Sequence, residues 1–236
     1  MSNTRLARHA LLCVIASLSA AGECLALAGT PYKVRTVSAR ETLTFGGTTT
    51  VAGAPAELAL RLVITWKAGP ARSSGASLLN RSPAAGERTL CVNNDCPPYG
   101  PLVGTATLTG SVTPTGAAPI SCAGSKGLQA IFGKGSSALG AQIGIFARGS
   151  KRLVNVTPSQ YSFILQSVAP DQACRVFLDE PGLAEKLFSP FPVSKIGAPT
   201  ITIAVRKTIP LSLAAGQPTG ITTALRFEVN ATLAKS

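Results

Sequence analysis

Apolar and polar residues alternate with a period of two over much of this chain, the pattern of a strand with one buried face. In residues 57–66, Leu58, Leu60, Leu62, Ile64 and Trp66 fall on one side, with Arg61 and Thr65 on the other. Residues 102–111 alternate more loosely and put Thr105, Thr107 and Thr109 on the outer side. Strands are also predicted over 142–148, 160–168 and 173–178. Tyr161, Phe163 and Leu165 share a face in the second, and Cys174, Val176 and Leu178 in the third, which places a cysteine sulfur in the core. The C-terminal third is the most regular. Ile201, Ile203 and Val205 alternate, then Ile209, Leu211 and Leu213. Ile221, Thr223, Leu225, Phe227, Val229, Ala231 and Leu233 then form one long apolar face, against Thr222, Arg226, Glu228, Asn230 and Thr232.

Helical periodicity is scarce. Residues 181–187 have room for one or two turns, with Asp179 and Glu180 before them and Pro190 after. Strands recurring every 10–20 residues between Gly- and Pro-bearing turns predict an all-β chain folded as a β-sandwich. Residues 67–101 break the rhythm as a long, poorly periodic loop, a length usually tied to function. Trp66 closes an apolar alternation and belongs to the core. Tyr99, among prolines and glycine, reads as exposed. No internal repeat is evident.

The first 28 residues have another logic. Arg5, Arg8 and His9 precede a short apolar run over 10–21, and Ala26-Leu27-Ala28 supplies a small-x-small cleavage signal. This reads as a secretory signal peptide, cut before Gly29 or, by a second signal at 19–21, before Gly22. The run is shorter than the ~18–20 residues a membrane span needs. Glu23 before Cys24 argues against a lipoprotein site. The domain plan is therefore 1–28 signal, 29–46 N-terminal extension, and 47–236 sandwich with its long loop at 67–101. The product is expected outside the cytoplasm, in the periplasm in transit and then at the cell surface or secreted.

Export fixes the reading of the cysteines. Cleavage removes Cys13 and Cys24 and leaves Cys91, Cys96, Cys122 and Cys174, which allow two disulfides in three connectivities. The turn-like CVNNDC sequence favours Cys91–Cys96, which leaves Cys122–Cys174 as the long bridge. A zinc knuckle at Cys91 and Cys96 finds no histidine to support it, because the only one, His9, leaves with the signal.

The chain carries 22 Lys and Arg against 10 Asp and Glu, a formal +12, and loss of Arg5, Arg8 and Glu23 with the signal leaves +11. These cations are scattered, with Arg148, Lys151 and Arg152 the nearest to a cluster. No aromatic-rich basic motif accompanies them, so nucleic acid is not an expected partner. The sharper reading of the charge is attraction to polyanions such as acidic glycans. Catalysis has little to work with. Imidazole is absent from the mature chain, no Ser-x-x-Lys pair is present, and Asp179-Glu180 is the single adjacent acidic pair. That pair reads better as acids at a helix start. Calcium at Asn93, Asn94 and Asp95 lacks further carboxylates. No phosphate-cradling glycine loop occurs. The expectation is a protein that is not an enzyme and holds no cofactor or metal.

One segment carries a resemblance. Residues 209–233, IPLSLAAGQPTGITTALRFEVNATL, resemble the C-terminal end of bacterial chaperone–usher pilus subunits of the spore-coat-U-like and common-pilus types. In these an apolar strand leads to a Gly-Gln-Pro-x-Gly-like turn and an amphipathic last strand. Gly216, Gln217, Pro218 and Gly220 fit the turn, while Thr222 stands where those families carry tyrosine. The resemblance implies an immunoglobulin-like sandwich lacking one strand, completed in trans by a neighbour's N-terminal extension. Like subunits, a periplasmic chaperone and an usher are then the partners, and the chain is a structural or adhesin-like component of a fimbrium. The donor segment would be 30–45, with Tyr32, Val34, Leu43 and Phe45 in step. The final strand, with Ile221, Leu225, Phe227, Val229 and Leu233 inward, would be central. Two alternatives come from other classes: a secreted, self-complete sandwich that binds a polyanionic or glycan ligand, and a periplasmic pilus chaperone.

Overall fold

The structure, a computed structural model, describes residues 30–68, 77–79, 103–133, 143–148, 151–156, 159–217 and 220–235. The signal segment, Cys91, Cys96, Asn93, Asn94, Asp95, Tyr99, Pro218 and most of the 67–101 excursion lie outside these residues.

Alternating sequence becomes antiparallel sheet. Five long strands form it: β1 (Thr30–Val51), β2 (Ala54–Ala68), β4 (Val103–Pro114), β11 (Thr200–Leu213) and β12 (Ile221–Lys235). Short strands add to them, β3 (Ser77–Leu79) on β1, β5 (Ile120–Ser121) and β6 (Gly124–Gly127) on β4, and β9 (Leu178–Asp179) on β11. Among the described residues the order is β5-β4-β2-β1-β12-β11-β9, with every pairing antiparallel. The chain is thus all-β in its main body.

Strand pairing follows the hydrophobic pattern. Leu58, Leu60, Leu62, Ile64 and Trp66 of β2 are buried, as are Ile201, Ile203 and Val205 of β11. Every odd position of β12 from Ile221 to Leu233 points into the core, Thr223 included. β12 lies between β1 and β11, as a strand with seven inward positions requires. A one-residue slip would turn the whole set to solvent, so burial fixes the register. Two glycines permit close strand approach. Gly47 and Gly110 have φ of +139° and +120°, and a Cβ on either would collide with a carbonyl of the neighbouring strand, Gly220 O and Ala59 O.

A second layer covers the inner face. It holds a three-stranded sheet of β7 (Ile143–Arg148), β8 (Lys151–Val156) and β10 (Ser189–Pro190), with the order β10-β8-β7. Helices α1 (Leu128–Phe132), α2 (Tyr161–Val168) and α3 (Leu183–Lys186) accompany it. Ile145, Val154, Tyr161, Ile164, Leu165, Phe191 and Ile196 join the inner residues of the large sheet in one core.

Three expectations need correction. Residues 160–168 are not a strand but helix α2, which buries Tyr161, Ile164, Leu165 and Val168 and leaves Phe163 exposed. The Glu180 carboxylate accepts a hydrogen bond from Ser162 N at 2.6 Å and so satisfies a donor that the helix start leaves open. Residues 173–178 form the end of a 3-10 turn (Gln172–Cys174), then irregular chain leading into β9, although Cys174, Val176 and Leu178 are buried as expected. Finally, the boundary expected at 46/47 falls inside β1. That strand continues to Val51 because β2 pairs with it from Val37 to Val51.

Candidate functional site

The large sheet has one face on the core and one towards water, and the watered face carries the chemistry. Its residues are the polar half of each alternation. Cross-strand register gathers cations that lie far apart in sequence. Arg40 of β1 is opposite Glu228 of β12, which is opposite Arg206 of β11. Arg226 of β12 is opposite Thr42 of β1 and Thr208 of β11. Arg61 of β2 is opposite Thr44 of β1 and Thr109 of β4. Arg61, Arg40, Arg226 and Arg206 thus stand one on each of four consecutive strands, all exposed.

A single carboxylate sits among them. Glu228 Oε1 accepts hydrogen bonds from Arg226 Nη2 at 2.7 Å and Nε at 3.2 Å. That bonding pulls the Glu228 carboxyl below its ordinary range, and the nearby charges of Arg226, Arg206 and Arg40 act in the same direction. Arg226 pairs with the carboxylate directly, Arg206 and Arg40 act on it through their charge alone, and Arg61 adds a fourth positive charge to the face. A shallow depression of about 380 Å³ is lined by Arg40, Thr42, Thr44, Arg61, Thr208, Ala224, Arg226 and Glu228. Thr42, Thr44 and Thr208 bring hydroxyls to its lining. Elsewhere on the same face, Thr107 and Ser125 oxygens lie 3.0 Å apart, those of Thr65 and Thr105 3.2 Å apart, and Thr222 donates to Gly46 O at 3.0 Å. Guanidinium forks beside hydroxyls can bind carboxylate or sulfate groups and the sugar hydroxyls next to them.

The residues singled out from sequence take other positions. Tyr32 is buried at the start of β1, where its hydroxyl donates to Ala198 O at 2.7 Å and accepts from Gly197 N at 2.8 Å. Val34 lies at a register irregularity, half-buried, while Leu43 and Phe45 are buried. All four belong to β1, which is hydrogen-bonded on both sides, to β12 and to β2. Ile221, Leu225, Phe227, Val229 and Leu233 are its core neighbours on β12. Cys122 and Cys174 form a disulfide with Cα atoms 5.6 Å apart. Gln217 of the expected turn accepts a hydrogen bond from Phe177 N at 3.3 Å and ties the β11–β12 connection to the chain that leads into β9. Asp179 pairs with Ser212 in the sheet, and Glu180 serves the start of α2, so the acidic pair is divided between two structural tasks. Of the one basic cluster visible in sequence, Lys151 is exposed and Arg152 is buried in β8.

Two features escaped sequence reading. The four arginines were legible only as separate polar positions, since their adjacency depends on register between strands that begin and end the chain. Glu41 is the second. It lies on the core face of β1, fully buried, where its carboxylate accepts from Trp66 Nε1 at 2.6 Å and Ser159 Oγ at 2.9 Å. Burial raises its pKa, and bonds from Tyr161, Trp66 and Ser159 oppose the rise. Burial also raises the Tyr161 hydroxyl well above its usual range, with the Glu41 charge adding to the effect. This cluster is closed off from solvent and ties β1 and β2 to the start of α2. Among the described residues, no group of three or more His, Cys, Asp or Glu could hold a metal ion, and no helix is long and apolar enough to cross a membrane. Comparison with known proteins gives no significant match to a family model, a curated protein or a solved structure.

Proposed function

We propose that this chain is an exported, self-complete β-sheet module that binds an anionic polysaccharide across the open face of its large sheet. The observation that carries the reading is the placement of Arg61, Arg40, Arg226 and Arg206 on four adjacent strands around one carboxylate. The outer two, Arg61 and Arg206, are three strand spacings apart and four residues offset along the strands, so they lie about 20 Å apart on a diagonal. That distance suits several sugars of a linear polymer lying obliquely over the strands. Uronate or sulfate groups would meet the arginines, and the threonine hydroxyls would meet the sugar ring. A net positive charge draws such a ligand from a distance.

The pilus reading, an immunoglobulin-like sandwich with an empty strand position, has less support. The segment that would be donated to a neighbour occupies the centre of its own sheet. A two-residue turn, Ala52-Gly53, joins it to β2 and leaves no slack for exchange.

Calorimetric titration with a sulfated tetrasaccharide and a galacturonate trimer tests the proposal. Binding should weaken as salt rises. The triple variant Arg40→Ala/Arg61→Ala/Arg206→Ala should lose at least tenfold in affinity with its melting temperature unchanged. Glu228→Gln should bind more tightly, because a repelling charge is gone. Wild-type affinity in the triple variant would sink the reading.

A further inference from the structure

The two edges of the large sheet are treated differently. On one side, β4 is covered by β5 at Ser111–Val112 and by β6 at Thr105–Leu108, and the Cys122–Cys174 bridge pins that edge. On the other, β9 pairs with β11 only at Ser212 and Leu213. Among the described residues, no backbone hydrogen bond reaches the outer edge of β11 between Thr200 and Leu211.

Pro210 shows which groups that edge presents. Proline has no N–H, so within a sheet it occupies positions whose main chain faces away from the neighbouring strand. The register of β11 on β12 runs unbroken from Thr200 to Leu211. In an antiparallel ladder, alternate residues bond to the same side. Thr202, Ala204, Arg206 and Thr208 share Pro210's parity, so their N–H and C=O groups point outward, unclaimed by β12. Beside them lies a groove of about 330 Å³ lined by Pro190, Phe191, Pro192 and Lys195 on one wall and Thr202, Ile203 and Ala204 on the other. Lys207 Nζ, donating to Lys186 O and Phe188 O, holds the 186–188 segment against the strand.

We infer that the outer edge of β11 takes up an extended peptide of alternating apolar and acidic residues, which adds a strand to the sheet. Main-chain bonding to Thr202, Ala204 and Arg206 supplies the affinity. The pleat supplies the pattern, because alternate peptide side chains fall on the two faces of the sheet. Those on the inner face lie beside Phe191, Pro190 and Ile203 and are apolar. Those on the outer face lie beside Arg206 and are acidic, and Lys195, exposed on the opposite groove wall, adds a second positive charge at the rim. Charge also selects this occupant over a second copy of the chain, which would bring one basic edge against another. The edge meets the arginine-lined depression at Thr208, which lines it, and Arg206 beside Glu228 is common to this edge and the arginine group.

The probe is a fluorescent octapeptide of alternating Val and Asp, followed by anisotropy on the full-length mature protein. Saturable binding is expected. It should fall at least tenfold for a peptide N-methylated at alternate residues, for a Val/Lys peptide, and for the variant Lys195→Glu/Arg206→Glu. Ala204→Pro should abolish it while the melting temperature stays near wild type, as Pro210 is already tolerated. Should that variant fail to fold, the N-methylated peptide on wild-type protein decides. Absence of binding, equal binding of the N-methylated peptide, or loss of binding only in Arg40→Ala/Arg61→Ala would each overturn the inference. So would a dimer of the free protein that Ala204→Pro dissolves.

Discussion

Trp66 Nε1 donates a 2.6 Å hydrogen bond to Glu41 Oε1 between adjacent strands, with both side chains in the core. Ala39, not Glu41, is Trp66's direct cross-strand partner, so the contact is diagonal. Ser159 bonds to both carboxylate oxygens, through Oγ at 2.9 Å and N at 3.4 Å, which ties the second layer to the sheet. Glu41→Ala would leave these buried donors unsatisfied and should destabilise by about 2–4 kcal/mol. The raised pKa gives a pH signature with a definite sign. The unfolded chain ionises first as pH rises through the ordinary glutamate range, and the folded protein only later. Stability contributed by protonated Glu41 is therefore fully present below the unfolded pKa and is lost as pH rises towards the folded value. Glu41→Gln cannot ionise. Its melting temperature relative to wild type should climb with pH above about 4.3, the ordinary glutamate value. A flat difference would mean Glu41 is not titrating on folding.

Cys122 and Cys174 connect the β4 edge to the 3-10 turn after α2, across 52 residues. Cys122→Ser/Cys174→Ser should lose about 2–4 kcal/mol, measured by chemical denaturation. Mutation tests this bridge better than reductant does, because the second bridge expected from sequence, Cys91–Cys96, would respond to reductant as well. An unchanged midpoint would show that the bridge adds nothing beyond the core.

Ala52 is, among the described residues, the one non-glycine with positive φ, at +49° beside Gly53 at +83°. The pair forms the two-residue link between Val51 and Ala54, whose handedness favours Asn-Gly. Alanine in this region carries strain of about 1 kcal/mol. Ala52→Asn should raise stability by about 0.5–1 kcal/mol, read as a shift of the denaturation midpoint at constant slope. A loss instead would mean the turn is not held in this conformation.

How far the sequence led depends on the range of the interactions. Strand faces in 57–66 and 221–233 were legible because a period of two, repeated five or more times, has no competing explanation. Residues 161–168 were not, because Tyr161, Phe163 and Leu165 satisfy a strand period while Tyr161, Ile164, Leu165 and Val168 satisfy a helix period. In so short an apolar run, tertiary contacts decide, here the bond from Ser162 N to Glu180. The binding face was hidden for a different reason. Arg40 and Glu228 sit opposite each other although nearly the whole chain separates them, and alternation alone does not say which strands are neighbours. The same holds for 30–45. Its reading as an extension followed from the C-terminal resemblance, and the irregularity at Val34 and the buried Glu41 are the places where β1 departs from a plain apolar face.

The last prediction separates a self-complete sheet from one completed by a neighbour. β1 pairs with β12 from Tyr32 to Gly47 and with β2 from Val37 to Val51, and it buries Val37, Leu43 and Phe45 against the second layer. Deleting 30–45 from a self-complete sheet removes ladder bonds on both sides and opens the core along its centre. That loss exceeds the 5–15 kcal/mol by which domains are commonly stable. The deleted protein should therefore fail to fold, seen as loss of strand circular dichroism. Fusing a second copy of 30–45 after Ser236 in the intact chain should leave melting temperature and monomeric elution unchanged, because the position between β12 and β2 that this segment fits is already filled by β1. If the deleted form instead folds, accepts the 30–45 peptide with a large gain in melting temperature, and the intact chain polymerises, strand exchange between like subunits is its mode of assembly. The polysaccharide face would then be a surface feature of a fibre rather than of a free module.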